Sequence, residues 1–485
     1  MNAVYLPAVG ALAVLAIDLV SRSTPSESEA PRANAMSGIR LGSVAILTLA
    51  AALISLRSRE SGIDPFGTFG IAFVVVAGFI VLSLSLTHFG MARSRPAEPI
   101  ALVLFSLSGM AAAIVTGHLL ILMIALEMAW LPLIALISID SRRLSSSESS
   151  LKAFFAHSFA SVVFAHGVAF LFGATGSLDL VSLGEVSIDR PLLFDVGVTL
   201  MIVGLFARAA VAPFHPWSPD VHEGAPSFVT THIVTAVQAT TFFVLLRMLH
   251  ALAPVDAVTT SEIAARVPQL LGVLGCLGLV WGHAMALVQV GLRRLVGWLG
   301  VGQVGFFALA LVDATGEGGN ALLLALFASG VSAAGVLAIL SSFSHHERAC
   351  ENVGDLSGMM QRSPIRAALL SLFLLSLGGF PGTVGFVARV EVLGALEHSD
   401  HRILLIAGLG ATVLALTAVG RPLLALLRPT EPRRDASRAL TNEQFVLTLC
   451  GLSVVYFGIA PIVGVGGVAG LFFDWIDAVL ASLRA

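Results

Sequence analysis

Long apolar stretches separated by short polar segments run through the whole chain. A helix that crosses a membrane needs about 20 mostly apolar residues, and fourteen stretches of this kind are present. They lie near positions 3–21, 40–56, 68–90, 99–117, 119–139, 151–173, 193–222, 227–251, 269–290, 294–312, 320–343, 364–397, 403–427 and 443–465. A last stretch, 468–483, carries Asp474, Trp475 and Asp477, which is typical of a helix at the membrane interface. The pattern predicts an all-α polytopic membrane protein with about 14 transmembrane helices.

Two of these predicted spans are interrupted. The seventh contains Pro213, Pro216 and Pro219, and proline removes a helix hydrogen bond. The twelfth contains the run Gly378-Gly379-Phe380-Pro381-Gly382. Unwound backbone at membrane depth is tolerated where it is covered by protein or lines a water-filled cavity. Two such breaks, five spans apart, predict a pair of inverted repeats and a transport function.

The breaks suggest how the chain divides. Residues 1–98 form the first three spans, and residues 99–252 form a first repeat from spans 4–8. Residues 269–427 form a second repeat from spans 9–13. Residues 443–485 hold the last span and the interfacial helix.

Composition excludes several classes of protein. The chain has 485 residues, of which 56% are hydrophobic and 12% charged, against roughly 25% charged in a typical soluble domain. The formal net charge of −3 and the lack of a basic run with aromatic residues exclude a nucleic-acid-binding protein. The three cysteines are far apart and form no metal or disulfide pattern. We therefore expect no metal and no cofactor on this chain.

Charged residues in the loops predict the orientation. With both termini in the periplasm, the inward loops hold most of the basic residues, as the positive-inside rule requires. The inward residues are Arg22, Arg32, Arg40, Arg93, Arg95, Arg142, Arg143, Lys152, Arg293, Arg294, Arg348, Arg362, Arg366, Arg428, Arg433, Arg434 and Arg438. The outward residues are Arg57, Arg59, Arg190, Arg266 and Arg402. The expected location is a bacterial inner membrane.

Three charged residues lie in the middle of a predicted span or beside a break, where ionisable groups are costly and usually functional. Glu127 lies in the fifth span, Arg208 beside the first break and Arg389 just after the second. A carboxylate and a cation on one polar axis can control each other's protonation. The alternative is a static ion pair that holds helices together. Because arginine keeps its proton in proteins, both arginines are expected to act as fixed charges.

Other polar groups within the spans are candidates for a proton relay, because histidine titrates near neutral pH and glutamine can hydrogen-bond water. The possible relay members are His157, His166, His232, Gln238, His283 and Gln303. A single buried histidine is also compatible with a packing role. Both interpretations stay open from the residues alone.

The segment around the first break reads Arg208-Ala-Ala-Val-Ala-Pro213-Phe-His-Pro-Trp-Ser-Pro-Asp220-Val-His-Glu-Gly-Ala-Pro226. Four further motifs follow in order: Gly282-His-Ala-Met-Ala-Leu287, Arg294-Leu-Val-Gly297, Asp355-Leu-Ser-Gly358 and Leu375-Ser-Leu-Gly-Gly-Phe-Pro-Gly-Thr-Val-Gly-Phe386. Together they resemble the antiporter-like subunits of respiratory complex I, and the Glu-Gly-Ala-Pro ending is most similar to the N subunit. The resemblance covers residues 100 to 400 approximately.

The resemblance implies a proton path through a glutamate in the fifth span, which Glu127 matches, and through lysines in spans 7, 8 and 12. Arg208, Gln238 and Arg389 stand at the lysine positions, and Gln303 stands where the tenth span often has histidine. The chain has a single lysine, so a general loss of lysine accounts for the arginines but not for Gln238.

The resemblance leaves three hypotheses for the function. The first is a membrane-arm subunit of a proton-translocating NADH:quinone oxidoreductase, without redox chemistry on this chain. The second is a non-pumping structural subunit. The third is an antiporter-like subunit of a cation/proton antiporter, a membrane hydrogenase or an inorganic-carbon uptake complex. The implied partners are other membrane-arm subunits, the lipid bilayer and protons.

Overall fold

The structure is a computed structural model that describes residues 2–21, 30–56, 62–91, 96–140, 143–180, 190–252, 262–344, 351–429, 441–463 and 468–484. Several arginines behind the orientation prediction lie outside these ranges, namely Arg22, Arg57, Arg59, Arg93, Arg95, Arg142, Arg348, Arg433, Arg434 and Arg438. The described residues form an all-helical bundle, which confirms the predicted fold class.

The first half of the chain begins with seven helices that follow the apolar stretches of the sequence. They are α1 (Asn2–Ser21), α2 (Ala30–Ser55), α3 (Pro65–Met91), α4 (Ala97–Val115), α5 (Leu119–Ile137), α6 (Leu144–Thr175) and α7 (Pro191–Ala209). Proline at the first position of α7 is favourable, because that residue's N–H would have no helical partner. Helix α7 leads directly into the first break.

The first break separates α7 from the short helix α8 (Trp217–Gly224). The eighth span follows as α9 (Ser227–His232), a π-helical turn (Ile233–Val237) and α10 (Gln238–Ala251). Single π-helical turns inside α-helices are rare. This eighth span, Ser227–Ala251, has 25 residues, and its most apolar part is completely buried in the bundle.

The second half repeats this order of elements. It contains α11 (Glu262–Val288), α12 (Leu292–Ala310), α13 (Gly318–Ser344), α14 (Met359–Arg362), α15 (Pro364–Gly378), α16 (Val384–His398) and α17 (Arg402–Leu427). The second break lies between α15 and α16. The chain ends with α18 (Thr441–Val463) and α19 (Val468–Arg484).

The same isolated β-bridge occurs once in each half of the chain. His118, just before α5, forms an isolated antiparallel β-bridge with Asp179, which follows α6. Gly291, just before α12, forms the same bridge with Asn352, which follows α13. The bridged residues are 61 positions apart in both halves. This likeness agrees with two repeats, while the predicted domain boundaries stay a prediction.

The number of membrane spans differs from the predicted fourteen. Within the described ranges, twelve helices are long and apolar enough to cross a membrane. The predicted second and twelfth spans fall short, because the apolar part of α2 is limited to Ile39–Ser55 and the twelfth is divided into α15 and α16. Each of the fourteen stretches contains a helix, but a count of fourteen spans is not confirmed.

The C-terminal helix α19 is strongly amphipathic, as the sequence predicts for an interfacial helix. Its apolar face contacts α3, where the ring of Trp475 meets that of Phe69 at 4.7 Å. On its polar face, Asp477 accepts a hydrogen bond of 2.6 Å from Asn320 of α13. The helix therefore joins the first three spans to the second half of the chain.

Candidate functional site

The first break places Arg208 in the last turn of α7. The helix ends because Ala210 adopts a left-handed conformation with φ 63° and Pro213 cannot donate a helix hydrogen bond. The indole N–H of Trp217, at the start of α8, donates to the carbonyl of Ala207 at 3.2 Å. The break and this hydrogen bond therefore fix the position of the last turn of α7, which contains Arg208.

Arg208 faces Glu127 of α5, as the sequence predicts for groups on one polar axis. Its Nη2 donates to the Glu127 carboxylate at 2.5 Å and to the hydroxyl of Ser161 of α6 at 2.7 Å. The Ser161 hydroxyl also lies within hydrogen-bond distance of Glu127 and of the His157 carbonyl. Since a hydroxyl has one proton, it donates to one of these two acceptors at a time. The carboxylate, guanidinium and hydroxyl form one polar cluster.

The two charges of this cluster differ in exposure. The Arg208 side chain is fully buried, whereas 35% of the Glu127 side chain is exposed. A buried cation without a partner would cost several kcal/mol, so Glu127 is needed to compensate Arg208. The recorded bonds from Arg208 and Ser161 both go to Oε1 of Glu127, and the Glu127 side chain is partly exposed at the surface of this chain.

His157 lies one helical turn before Ser161 and next to this cluster. Its ring stacks on Trp130 with centroids 3.4 Å apart and meets the edge of Trp217 at 4.7 Å. Neither ring nitrogen has a hydrogen-bond partner among the described residues. The aromatic rings hold the imidazole beside the cluster, but its ring nitrogens form no hydrogen bond with Glu127.

The second break frees a backbone carbonyl. The carbonyl of Leu377 would accept from residue 381 in a continuous helix, but Pro381 has no N–H. Instead, Gln303 Nε2 and Arg389 Nη2 both donate to Leu377, each at 2.7 Å. The broken helix therefore brings together two of the residues that the sequence singled out.

Arg389 is almost fully buried, with 4% of its surface exposed. Its Nη1 donates to the Thr412 hydroxyl at 3.1 Å, and its guanidinium lies 4.5 Å from the centre of the Phe306 ring. Gly379 permits this placement, because a Cβ there would approach the arginine side chain to 2.3 Å and its φ is +79°. No carboxylate forms an ion pair with Arg389 among the described residues.

His283 lies near the second break and His232 near the first. His283 Nδ1 donates to the carbonyl of Leu279 at 2.8 Å, and its ring lies close to Gly302, where a side chain would collide with it. His232 Nε2 lies 3.1 Å from the hydroxyl of Ser106, which donates to the Ala129 carbonyl. The hydroxyl's one proton is thus used, so His232 Nε2 carries the proton of that contact.

Like His232 and His283, two further predicted relay residues form no hydrogen bond with Glu127, Arg208 or Arg389 among the described residues. His166 is exposed on α6, where its Nδ1 donates to the carbonyl of Val162 at 2.7 Å. Gln238 is buried at the start of α10, just after the π-helical turn. Their relay role stays a prediction.

A charged network lies along α8 and connects both halves. Asp220 accepts from Lys152 of α6 at 2.6 Å and pairs with Arg294 of α12 at 3.1 Å. Arg294 also pairs with Glu223 at 3.1 Å, and its side chain is 42% exposed. The network ties the segment after the first break to α12, the helix that carries Gln303.

Sequence reasoning missed the hydroxyl and aromatic members of both sites. The missed residues are Ser106, Trp130, Ser161, Phe306 and Thr412. One available signal was the spacing of His157 and Ser161, four positions apart and therefore on one helix face. Within the described ranges, no group of three or more His, Cys, Asp or Glu side chains is placed to hold a metal ion.

The chain matches a known protein family. Residues 116–417 match the family described as NADH:quinone oxidoreductase/Mrp antiporter, transmembrane. The chain belongs to this family. The matched region contains both breaks, Glu127, Arg208 and Arg389.

Similar proteins carry a common name. The NADH-quinone oxidoreductase subunit N of Halorhodospira halophila is 30% identical over 82% of this chain and 82% of its own length. The subunit N of Deinococcus radiodurans is 31% identical over 83% of this chain and 80% of its own length. The predicted resemblance to complex I antiporter-like subunits, and to subunit N in particular, is confirmed.

Solved structures show the same fold. A chain of respiratory complex I from Thermus thermophilus with bound Aureothin is 27% identical, with a TM-score of 0.76, 97% of this chain covered and 99% of that chain. A chain of the membrane-bound sulfane sulfur reductase, an archaeal respiratory membrane complex, has a TM-score of 0.85, 20% identity and coverages of 99% and 97%. At that identity, the second likeness shows the fold alone. The chain is therefore an antiporter-like membrane subunit.

Proposed function

We propose that this chain is a membrane-arm subunit of a proton-translocating NADH:quinone oxidoreductase. It would couple quinone reduction elsewhere in the assembly to proton transfer along the intramembrane axis. The observation that carries the proposal is the bond of Glu127, whose side chain is partly exposed, to the buried Arg208 beside a broken helix. The names of the subunit N relatives and the complex I structure support the choice of assembly.

In this proposal Glu127 is the group that gains and loses a proton, and Arg208 is a fixed charge. Protonation of the carboxylate removes the negative charge that compensates Arg208. Since arginine keeps its own proton, the site must then attract another negative group or release the proton onward. Ser161 touches both charged groups and can reorient its hydroxyl between two acceptors.

The proposed partners are the neighbouring membrane-arm subunits and the lipid bilayer. No flavin, quinone or metal is proposed on this chain. We also propose that both termini face the periplasm of a bacterial inner membrane. Reporter fusions to the two ends would give periplasmic activity at both, and cytoplasmic activity at either end would contradict this orientation.

The test of the function is Glu127→Gln in the complete assembly, reconstituted in vesicles. The variant keeps the size and a hydrogen-bond acceptor but cannot ionise. We expect proton uptake driven by NADH to fall at least several-fold while co-purification of the subunits is unchanged. As a matched control, Glu98→Gln changes an exposed acid in the first turn of α4 and should leave transport intact. Undiminished transport in Glu127→Gln would reject the proposal.

A second candidate function is a non-pumping structural subunit. The observation in its favour is that Arg208, Gln238 and Arg389 occupy the lysine positions of the resemblance, and none of them titrates near neutral pH. Restoring lysine with Arg208→Lys and Arg389→Lys distinguishes the candidates. A rise in transport above that of the unchanged protein would favour the structural role for the natural chain.

A further inference from the structure

The guanidinium of Arg389 lies at a small cavity beside the second break. The cavity has a volume of about 10 Å³ and is lined by Gln303, Phe306, Ser376 and Arg389 among others. A volume of this size is about the least that holds one water molecule, so the cavity has room for a single small ligand. Among the common anions, the monatomic halides are closer to a water molecule in size than phosphate, sulfate or a carboxylate group.

The cavity is rich in hydrogen-bond donors. A guanidinium has five N–H groups, and Arg389 uses two in its bonds to Thr412 and Leu377. Gln303 uses one of its two amide N–H groups on the same Leu377 carbonyl. The remaining N–H groups of both side chains have no acceptor among the described residues.

The charge at this position also lacks compensation. A cation held away from water costs several kcal/mol unless an opposite charge accompanies it. Arg208 is compensated by Glu127, but Arg389 contacts a hydroxyl, a carbonyl and an aromatic ring. A partner chain cannot contribute a carboxylate directly, because 96% of the Arg389 surface is covered within this chain.

We infer that this cavity is a binding site for one small monovalent anion of the halide class. The anion is held by the guanidinium of Arg389 and by the amide of Gln303. Its presence neutralises the arginine, and its departure restores the positive charge. The site at the second break thus changes its charge by exchanging a ligand rather than a proton. This inference is independent of the proposed function, since a chain that moves no protons still has to compensate Arg389.

The experiment measures binding of radioactive chloride to the purified full-length chain in lipid nanodiscs, with gluconate as the replacement anion. We expect one saturable chloride per chain. Arg389→Gln removes the charge and should weaken binding about tenfold or more. Arg247→Gln, which removes an arginine already paired with Asp64, is the matched control and should bind chloride normally.

A second variant keeps the arginine and fills the cavity. Ala328→Val adds two methyl groups to the cavity wall on α13 and should also abolish binding. This variant decides the question if Arg389→Gln does not fold. Crystals soaked in bromide should show anomalous scattering beside the guanidinium. Absence of bound chloride in the unchanged protein, which would mean a water in the cavity, or equal binding in Ala328→Val would overturn the inference.

Discussion

Each helix break holds one arginine deep in the bundle, but the surroundings of the two arginines differ. At the first break, Arg208 is bonded to the carboxylate of Glu127. At the second, Arg389 is bonded to the carbonyl of Leu377 and lies against the ring of Phe306. The first site therefore contains a carboxylate, which can gain or lose a proton. At the second site, the positive charge of the arginine is stabilised by a carbonyl dipole and an aromatic ring.

The difference shows that similar breaks can serve different electrostatic purposes. In the first half, the arginine precedes the break, at the end of α7. In the second half, it follows the break, inside α16. The carbonyl that Pro381 leaves without a helix partner becomes part of the second site. The position of the charge relative to the break thus decides whether side chains or backbone groups stabilise it.

The largest effect is expected when the first site loses its acid. Glu127→Leu leaves the buried Arg208 with a hydroxyl as its remaining partner. Breaking a fully buried pair costs about 3–5 kcal/mol, and we expect the lower end of that range because the Glu127 side chain is partly exposed. Denaturant titration of the solubilised chain measures the loss of unfolding free energy. The double variant Glu127→Leu/Arg208→Met should recover most of it. Additive losses in the double variant would show that the two residues are not coupled.

Removing the second arginine should cost less. Arg389→Leu deletes two hydrogen bonds from a charged donor but also relieves the cost of burying an uncompensated cation, so we expect a loss of about 2 kcal/mol. The measurement is made without halide in the buffer. A loss equal to that of Glu127→Leu would mean that the two sites are electrostatically alike and would break the comparison.

Ser106→Ala should have a smaller effect. This variant tests the hydrogen bonds of His232 and Ser106 near the first site. The change removes the hydroxyl between His232 and the Ala129 carbonyl and should cost about 1 kcal/mol. Because neither hydrogen bond of this contact involves the Glu127 carboxylate, the pH profile of transport should stay the same. A shifted profile would place His232 in the proton path instead of in a packing role.

The smallest effect concerns the charged network that links the halves. Arg294→Ala removes half-exposed ion pairs to Asp220 and Glu223, which are worth about 0–1 kcal/mol each and are screened by salt. The loss of stability should therefore disappear in concentrated salt. Arg402→Ala, at an exposed pair with Asp400 outside the network, is the control and should change little at any salt concentration.

Much of the fold followed from the sequence, because apolar length and proline position act locally. Pro213 and Pro381 predicted both breaks, which the structure contains. The sequence indicated that Glu127 and a cation lie on one polar axis, but it did not distinguish Arg208 from Arg389 as the partner of Glu127, since both arginines lie beside a break. The predicted count of fourteen spans is not confirmed, because the broken twelfth stretch and the shortened second one are each too short to count as a single membrane-crossing helix.

The remainder depended on tertiary contacts. Serine in a membrane helix commonly bonds to its own backbone, so nothing local distinguished Ser161 or Ser106 as partners of charged or titratable groups. The acceptor at the second break is a backbone carbonyl, which has no sequence signature apart from the proline four positions later. His166 and His157 look equivalent in sequence, yet the turn of α6 exposes one and buries the other.

The π-helical turn Ile233–Val237 has a consequence for how the eighth span tolerates changes in length. Such a turn contains about one residue more than an α-helical turn along the same path. Deleting Ala236 would therefore convert the segment to a regular α-helix and keep His232 and Gln238 near their present faces. The same deletion within α10 would rotate everything beyond it by about 100° and turn buried side chains away from their neighbours. The π-helical turn therefore contains one extra residue, and this residue can be deleted there without rotating the rest of the span.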